Sequence, residues 1–235
     1  MIKKIIKKFI NNCGFNLVRT KQNAVSAPHY YLYEYKKSDG TFDYEKYQAI
    51  QKAGNERKRS QVWALEENIK FLSEYISKTV PDLNFGLCHG TRQGKEQKWF
   101  KEVLGCQVLG TEISESASEY PDTIQWDFHD VKLDWLGAVD FVYSNAFDHS
   151  YDPEKCLAGW MSCLRPEGIC ILEHTSGHEA GVANQLDPFG ASLEIMPYLI
   201  ARWGKKKYFL LEMLSAPTKR GDVSFCNYFI IKNRA

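Results

Sequence analysis

The chain has 235 residues, and its 30 lysines and arginines nearly balance 29 aspartates and glutamates, leaving a formal charge of +1. With 44% apolar, 14% aromatic and 25% charged residues it can bury a core of its own, which excludes a disordered tail, a membrane channel and a long basic nucleic-acid arm. No run of about 18 apolar residues occurs, and the first apolar run, Met1 to Ile10, is interrupted by four lysines, so neither a spanning helix nor a signal peptide is expected and the chain is placed in the cytoplasm.

Residues 1–22 carry Lys3, Lys4, Lys7, Lys8, Arg19 and Lys21 and no acid, a local charge of +6. Ile2, Ile5, Ile6, Phe9 and Ile10 fall on the opposite face of a helix, a pattern that suits peripheral contact with an anionic membrane surface, an acidic partner, or docking on the chain's own domain. Residues 23–60 hold an aromatic cluster, Tyr30, Tyr31, Tyr33 and Tyr35, and a polar helix-prone stretch broken near Gly54 and Asn55; this reads as an added cap. Val62, Leu65, Ile69, Leu72 and Ile76 recur at helical spacing over 61–78, and Pro81 ends that helix. The boundary therefore falls at 80: a basic helix and helical cap over 1–80, and a catalytic-type domain over 81–235.

Beyond Pro81 the period changes. Leu83, Phe85 and Leu87 alternate in a strand that ends at Cys88-His89-Gly90, and Trp99, Phe100, Val103 and Leu104 follow at helical spacing before Gly105. Strands are expected at 106–113, 123–128 and 138–144, with a short acidic helix or turn before Pro121. Asp152 caps a helix with Pro153 at its first position, and Pro166-Glu167-Gly168 turns into a strand over 169–174. After an apolar helix around Leu193 to Ile200, two β-rich runs, 208–215 and 223–232, are joined through Pro217-Thr218-Lys219-Arg220-Gly221-Asp222, a connection short enough only for an antiparallel hairpin. The fold class is α/β: a Rossmann-like, doubly wound, mostly parallel seven-stranded sheet with an antiparallel C-terminal hairpin and an N-terminal helical cap.

Ligands of such sheets sit beyond the carboxyl ends of the strands. There the chain places a glycine loop, His89-Gly90-Thr91-Arg92-Gln93-Gly94, at a helix amino terminus, and Glu112-Ile113 at the end of the second strand. An acid about 20 residues past a glycine turn can accept from both hydroxyls of a ribose, so the pair indicates a nucleoside-containing cofactor. The dinucleotide pattern G-x-G-x-x-G is absent. The Walker pattern is one residue short, with Glu96 where a magnesium-binding hydroxyl belongs. Asp127 and Phe128, at the third strand's end, suit an adenine amino group and ring.

Over roughly residues 80–232 the chain resembles the class I S-adenosylmethionine-dependent methyltransferases. The resemblance rests on 87–94 for the glycine motif, Glu112 for the ribose acid, Asp127 for the adenine-side acid, Val139 to Asn145 for the fourth strand, and Asp148-His149-Ser150-Tyr151-Asp152-Pro153 and Leu164 to Gly168 beyond it. It implies S-adenosylmethionine as cofactor, held by His89, Gly90, Thr91, Arg92, Gly94, Glu112, Ile113, Asp127, Phe128 and Asn145, and no metal. Two positions depart from the family: Cys88 stands where an acid is usual, and Arg92 replaces the middle glycine. Arg92 either crowds the cofactor or pairs with its methionine carboxylate. Methyl transfer to a small-molecule, sugar or glycan oxygen is the expected activity and a catalytically inactive binding or assembly module is the alternative; whether the chain forms an oligomer is left open. Candidate bases lie after the fourth and fifth strands: His149, with Asp148 or Asp152 to hold its tautomer, then His174 and His178. The tyrosines at 30 to 35, with Trp63, are candidates for a roof over the acceptor, and Arg57, Lys58 and Arg59 for contact with an anionic one. The start of the chain through Gly14 to Arg19 is similar to methyltransferases of bacterial surface-polysaccharide pathways. A nucleic-acid acceptor is disfavoured, since the catalytic half has no basic stripe and no Pro-Pro-aromatic signature. The seven cysteines, odd in number and without a C-x-x-C pair, read as reduced core residues, and Cys163, Cys170, His174 and His178 match no common zinc spacing.

Overall fold

The computed structural model describes residues 29–234; the basic segment 1–22 lies outside them. The elements are β1 (Tyr30–Leu32), α1 (Tyr44–Arg57), α2 (Glu66–Thr79), β2 (Phe85–His89), α3 (Lys95–Leu104), β3 (Gln107–Glu112), β4 (Thr123–Gln125), β5 (Val139–Ser144), α4 (Pro153–Cys163), β6 (Leu164–Thr175), β7 (Phe189–Ala191), α5 (Met196–Gly204), β8 (Tyr208–Ser215) and β9 (Cys226–Asn233). Seven strands form one sheet in the order β4-β3-β2-β5-β6-β9-β8. β2 pairs in parallel with β3 and β5, as do β3 with β4 and β5 with β6, whereas β9 runs antiparallel to both β6 and β8. The chain winds outward from β2 to β4, then returns to build the other half from β5. The crevice between the carboxyl ends of β2 and β5 is therefore the switch point at which ligands bind.

Strand periodicity explains the two cores. In β5, Val142 joins Leu87, Leu172 and Trp160 on the face covered by α4 and α5, while Phe141 and Tyr143 join Val108, Phe100, Ile69 and Leu72 on the face covered by α2 and α3. The helix boundaries follow the expected chemistry. Asp152 caps α4, its side chain accepting from the Lys155 amide, with Pro153 in the first turn, and α3 runs between two left-handed glycines, Gly94 and Gly105.

Three expectations are corrected and one element is added. The helix of the cap does not break at Gly54 and Asn55: α1 runs through both, because a Cβ on Gly54 would lie 2.3 Å from Leu186 Cδ1, and the missing side chain lets the helix cross that loop closely. Asp127 and Phe128 lie past the end of β4, which is only three residues long. Pro166-Glu167-Gly168 does not precede β6 but bulges within it, between the pairs Val139–Leu164 and Phe141–Ile169. β1 and β7, three residues each, form a small antiparallel sheet of their own that the sequence did not announce. The described cysteines are free and buried, and no described helix is long and apolar enough to cross a membrane.

Candidate active site

A cavity of about 550 Å³ opens over the switch point. Its floor is the loop after β2 (Gly90, Thr91, Arg92), the end of β3 (Thr111, Glu112, Ile113), the turn at Trp126, Asp127 and Phe128, and the segment after β5 (Asn145, Ala146, Asp148, His149). Its roof is the cap: Tyr47, Gln51 and Asn55, spaced by four on one face of α1, then Lys58 and Trp63. The wall opposite the glycine loop holds His178, Asp187, Arg220 and Asp222.

Gly90, at φ +75°, has no room for a side chain, since a Cβ there would lie 2.5 Å from the Ala146 Cβ; the loop presents backbone at that point. Arg92 also has positive φ, +43°, which explains why a glycine suits this position; an arginine in that region carries strain of about 1 kcal/mol. Its side chain leaves the loop for the cap, donating from Nη1 to the carbonyls of Gln61 (3.0 Å) and Lys58 (3.4 Å). Arg92 thus fastens roof to floor.

Glu112 is buried, and its Oε1 accepts from the Ser114 amide (2.9 Å), the Ser114 hydroxyl (2.8 Å) and the Asn55 side-chain amide. Among the described residues none hydrogen-bonds Oε2. Asp127 accepts from the His129 amide (3.0 Å) and ring (2.7 Å) and from the Tyr44 hydroxyl (2.9 Å). Burial raises its carboxyl, but the His129 hydrogen bonds and charge outweigh that and hold it below its usual range. Phe128 and Asn145 line the cavity as expected.

Glu96, which the sequence offered only as a broken Walker motif, proves to be a wall of the cavity. It sits in the first turn of α3, 4% exposed; Oε1 accepts from Asn145 Nδ2 (3.3 Å) and Oε2 has no partner. Burial pushes its carboxyl up to about 7.

Three expected residues face elsewhere. His89 does not line the cavity: its ring stacks on Trp160 (centroids 4.7 Å apart, 22° between planes), its Nδ1 lies 2.9 Å from Thr111 Oγ1, and burial pushes it down to about 3. It is a neutral core histidine. Gly94 is also outside the lining; its φ of +69° opens α3, and a Cβ would meet Gln97 Nε2 at 2.6 Å. His174 is the third, because β6 extends through Thr175 and keeps it within the strand, buried against Phe225 and Phe229 and pushed down to about 3. Of the expected aromatic roof only Trp63 reaches the cavity, with Tyr47 in place of tyrosines 30 to 35. Of the basic run only Lys58 does; Arg59 pairs with Glu119.

Asp148, His149 and His178 come together at the end away from Glu112. The two histidines hold opposite tautomers. His178 Nδ1 accepts from the Thr175 amide (3.2 Å), so the neutral ring carries its proton on Nε2, 3.9 Å from Asp148 Oδ2. His149 Nδ1 lies between two acceptors, Gln51 Oε1 (2.8 Å) and the Leu186 carbonyl (2.9 Å), so it carries the proton and leaves Nε2 as a lone pair. Neither Asp148 nor Asp152 sets that tautomer, contrary to expectation: Asp152 is occupied by its helix cap. Asp187 and Arg220 had no sequence signature, whereas the spacing of Tyr47, Gln51 and Asn55 could have been read as a polar stripe on the cap helix.

The family described as "Methyltransferase domain" matches residues 87–172, the segment that carries the glycine loop, Glu112, Asp127, Asn145 and His149. Among solved structures the chain is similar to a 1,6-didemethyltoxoflavin-N1-methyltransferase of Burkholderia thailandensis with 1,6-didemethyltoxoflavin and S-adenosylhomocysteine bound (13% identity over 83% of this chain and 92% of that one, TM-score 0.63). It is also similar to a plantazolicin methyltransferase in complex with a triazolic desmethyl analogue and S-adenosylhomocysteine (15%, 81% and 96%, 0.59), and to a TehB-like S-adenosylmethionine-dependent methyltransferase of Corynebacterium glutamicum (16%, 79% and 99%, 0.53). At such identities the likeness to the solved structures is one of fold. No curated protein matches the chain.

Proposed function

We propose that this chain, which carries a methyltransferase domain over residues 87–172, uses S-adenosylmethionine to methylate an oxygen of a small-molecule, sugar or glycan-linked acceptor. The single observation that carries the reading is the cavity that joins the bare Gly90 backbone and the open Glu112 Oε2 at one end to the lone pair of His149 at the other. The residues fit the cofactor. Glu112 Oε2 has capacity for ribose hydroxyls, Asp127 and Phe128 flank the adenine side, and Asn145 with Glu96 lines the stretch between them and the acceptor end.

When bound, the cofactor supplies a methyl group already activated by its sulfonium, so what is left to the protein is alignment, exclusion of water and, for a hydroxyl acceptor, management of one proton. The cap does the excluding: α1 lies over the cavity, tied to Glu112 through Asn55 and to Arg92 through the carbonyls of Lys58 and Gln61. Activation of the acceptor is assigned to the cluster of Asp148, His149 and Asp187, where electron-rich atoms converge on the place an acceptor hydroxyl would occupy, while His178, with Nε2–H, donates. Trp63, stacked at 6.4 Å on His178, offers the acceptor an apolar face. The small acceptors of the structural neighbours support a small molecule here; sugar and glycan acceptors rest on the sequence resemblance.

A labelled-methyl assay against a panel of hydroxyl, amine and carboxyl acceptors tests this. The expected result is an O-methylated product, with kcat at least 100-fold lower in His149→Ala while S-adenosylhomocysteine affinity stays within about threefold. Methylation confined to nitrogen, or full turnover in His149→Ala, would overturn the assignment.

A further inference from the structure

The electron-rich cluster at the acceptor end has a feature that a hydroxyl proton alone does not account for. One atom each from Asp148, His149 and Asp187 lies within 4.8 Å of the other two. The His149 contribution is fixed from behind. Gln51 Nε2 donates to the Leu186 carbonyl (2.8 Å), which orients the amide so that its Oε1, like that carbonyl, accepts from His149 Nδ1–H. With Nδ1–H so committed, the neutral ring presents the lone pair of Nε2, 3.7 Å from Asp187 Oδ1. Asp187 is itself held, its Oδ2 accepting from Asn184 Nδ2 (3.0 Å) inside the turn 184–187. Asp148 is 8% exposed and its Oδ1 has no hydrogen-bond partner. Two carboxylates, one of them buried with an unpaired oxygen, and an imidazole nitrogen thus converge with no hydrogen bond between them, a donor set that a cation would satisfy.

Resting on the reading of the cavity above, we propose that Asp148, His149 and Asp187 form a divalent-cation site and that the acceptor oxygen binds as a further ligand of that cation. The donor set is one imidazole nitrogen and two carboxylate oxygens, which suits manganese, iron, cobalt or zinc better than magnesium, an ion that favours all-oxygen shells. A ligating histidine characteristically donates its other ring N–H to a backbone carbonyl, as His149 does to Leu186. Bond lengths of about 2.1 Å put neighbouring ligands roughly 3 Å apart, so the 3.7 Å gap between Nε2 and Oδ1 closes by a small side-chain rotation. Three protein ligands would leave the remaining positions to water and the acceptor, whose hydroxyl would acidify on the cation and release its proton to solvent; its oxygen would then bond the methyl carbon as the carbon–sulfur bond of the sulfonium breaks, leaving S-adenosylhomocysteine. A metal here departs from the sequence resemblance, which asked for none. It also gives the cap a second role, since Gln51 on α1 sets the tautomer that makes His149 a ligand.

The test uses the full chain, stripped with chelator and dialysed, titrated with MnCl₂ and followed by the electron paramagnetic resonance of free Mn²⁺, with S-adenosylhomocysteine binding measured in a separate titration. One equivalent of Mn²⁺ should bind, at least 30-fold more weakly to Asp187→Asn and His149→Ala, both checked for folding by circular dichroism. Methyl transfer by the stripped enzyme should fall at least tenfold and return with Mn²⁺. Folded wild type that binds no Mn²⁺ or Zn²⁺ at millimolar concentration, or Asp187→Asn that binds as tightly as wild type, overturns the proposal. Because the metal is read without cofactor, its failure is separable from failure of cofactor binding.

Discussion

Glu96 shows how one side chain couples the site to the stability of the fold. Its carboxyl is raised from an ordinary 4.5 to about 7 by burial. The folded chain therefore holds a proton between these values that the unfolded chain has released, and stability falls as pH rises from about 4.5 to about 7, then levels. In Glu96→Gln that slope should disappear. The variant should match wild type near pH 4.5 and exceed it at pH 8 by up to about 3 kcal/mol, since each pH unit between the folded and unfolded titrations corresponds to about 1.4 kcal/mol; urea unfolding at the two pH values measures it. Equal stability of the two proteins at pH 8 would show that the carboxylate is well solvated there. That Gly90, Glu112, Asp127 and His149 share one cavity is legible in the sequence because all four stand just beyond or at the carboxyl ends of parallel strands. His89 and His174 escape a sequence reading for one reason: each is the last or nearly the last strand residue, and whether such a side chain turns to the cavity or into the core depends on register, which the sequence leaves open by one position.

At the scale of elements, α1 decides what the cavity is. A cap is legible in the sequence, but its helix is expected to break at Gly54-Asn55, since glycine and asparagine are poor helix formers. The close approach of Leu186 to Gly54 and the bond from Asn55 to Glu112 reverse that preference. Removing the bond tests the coupling. Asn55→Ala loses a hydrogen bond to a charged group, worth about 1.5–3 kcal/mol, so amide exchange in α1 should accelerate by roughly 10- to 100-fold while β5 and β6 stay protected. Glu112 keeps both Ser114 donors, so S-adenosylhomocysteine should still bind, within about tenfold of wild type. Unchanged exchange in α1 would mean that the helix is held by its packing alone.

The whole molecule is the most readable level. Apolar runs such as those of β2 and β5 and helical spacing in α2, α3 and α4 are set by burial on both faces of a sheet, and a connection too short for a crossover could only reverse the last pair of strands. What stays hidden are the pieces too short to have a period, β1 with β7, and the wall contributed by Asp187, Arg220 and Asp222, loop residues brought to the cavity by the path of the chain rather than by any local pattern. All the chemistry assigned to this chain depends on the cavity at the switch point accepting an adenosyl group between the Gly90 backbone and Glu112. Calorimetric titration of the full chain with S-adenosylhomocysteine, in wild type and Glu112→Ala, measures that directly. A dissociation constant in the micromolar range for wild type, weakened at least 100-fold in a folded Glu112→Ala, is the predicted result; no heat from wild type at millimolar ligand, or equal affinity in the two proteins, would contradict it.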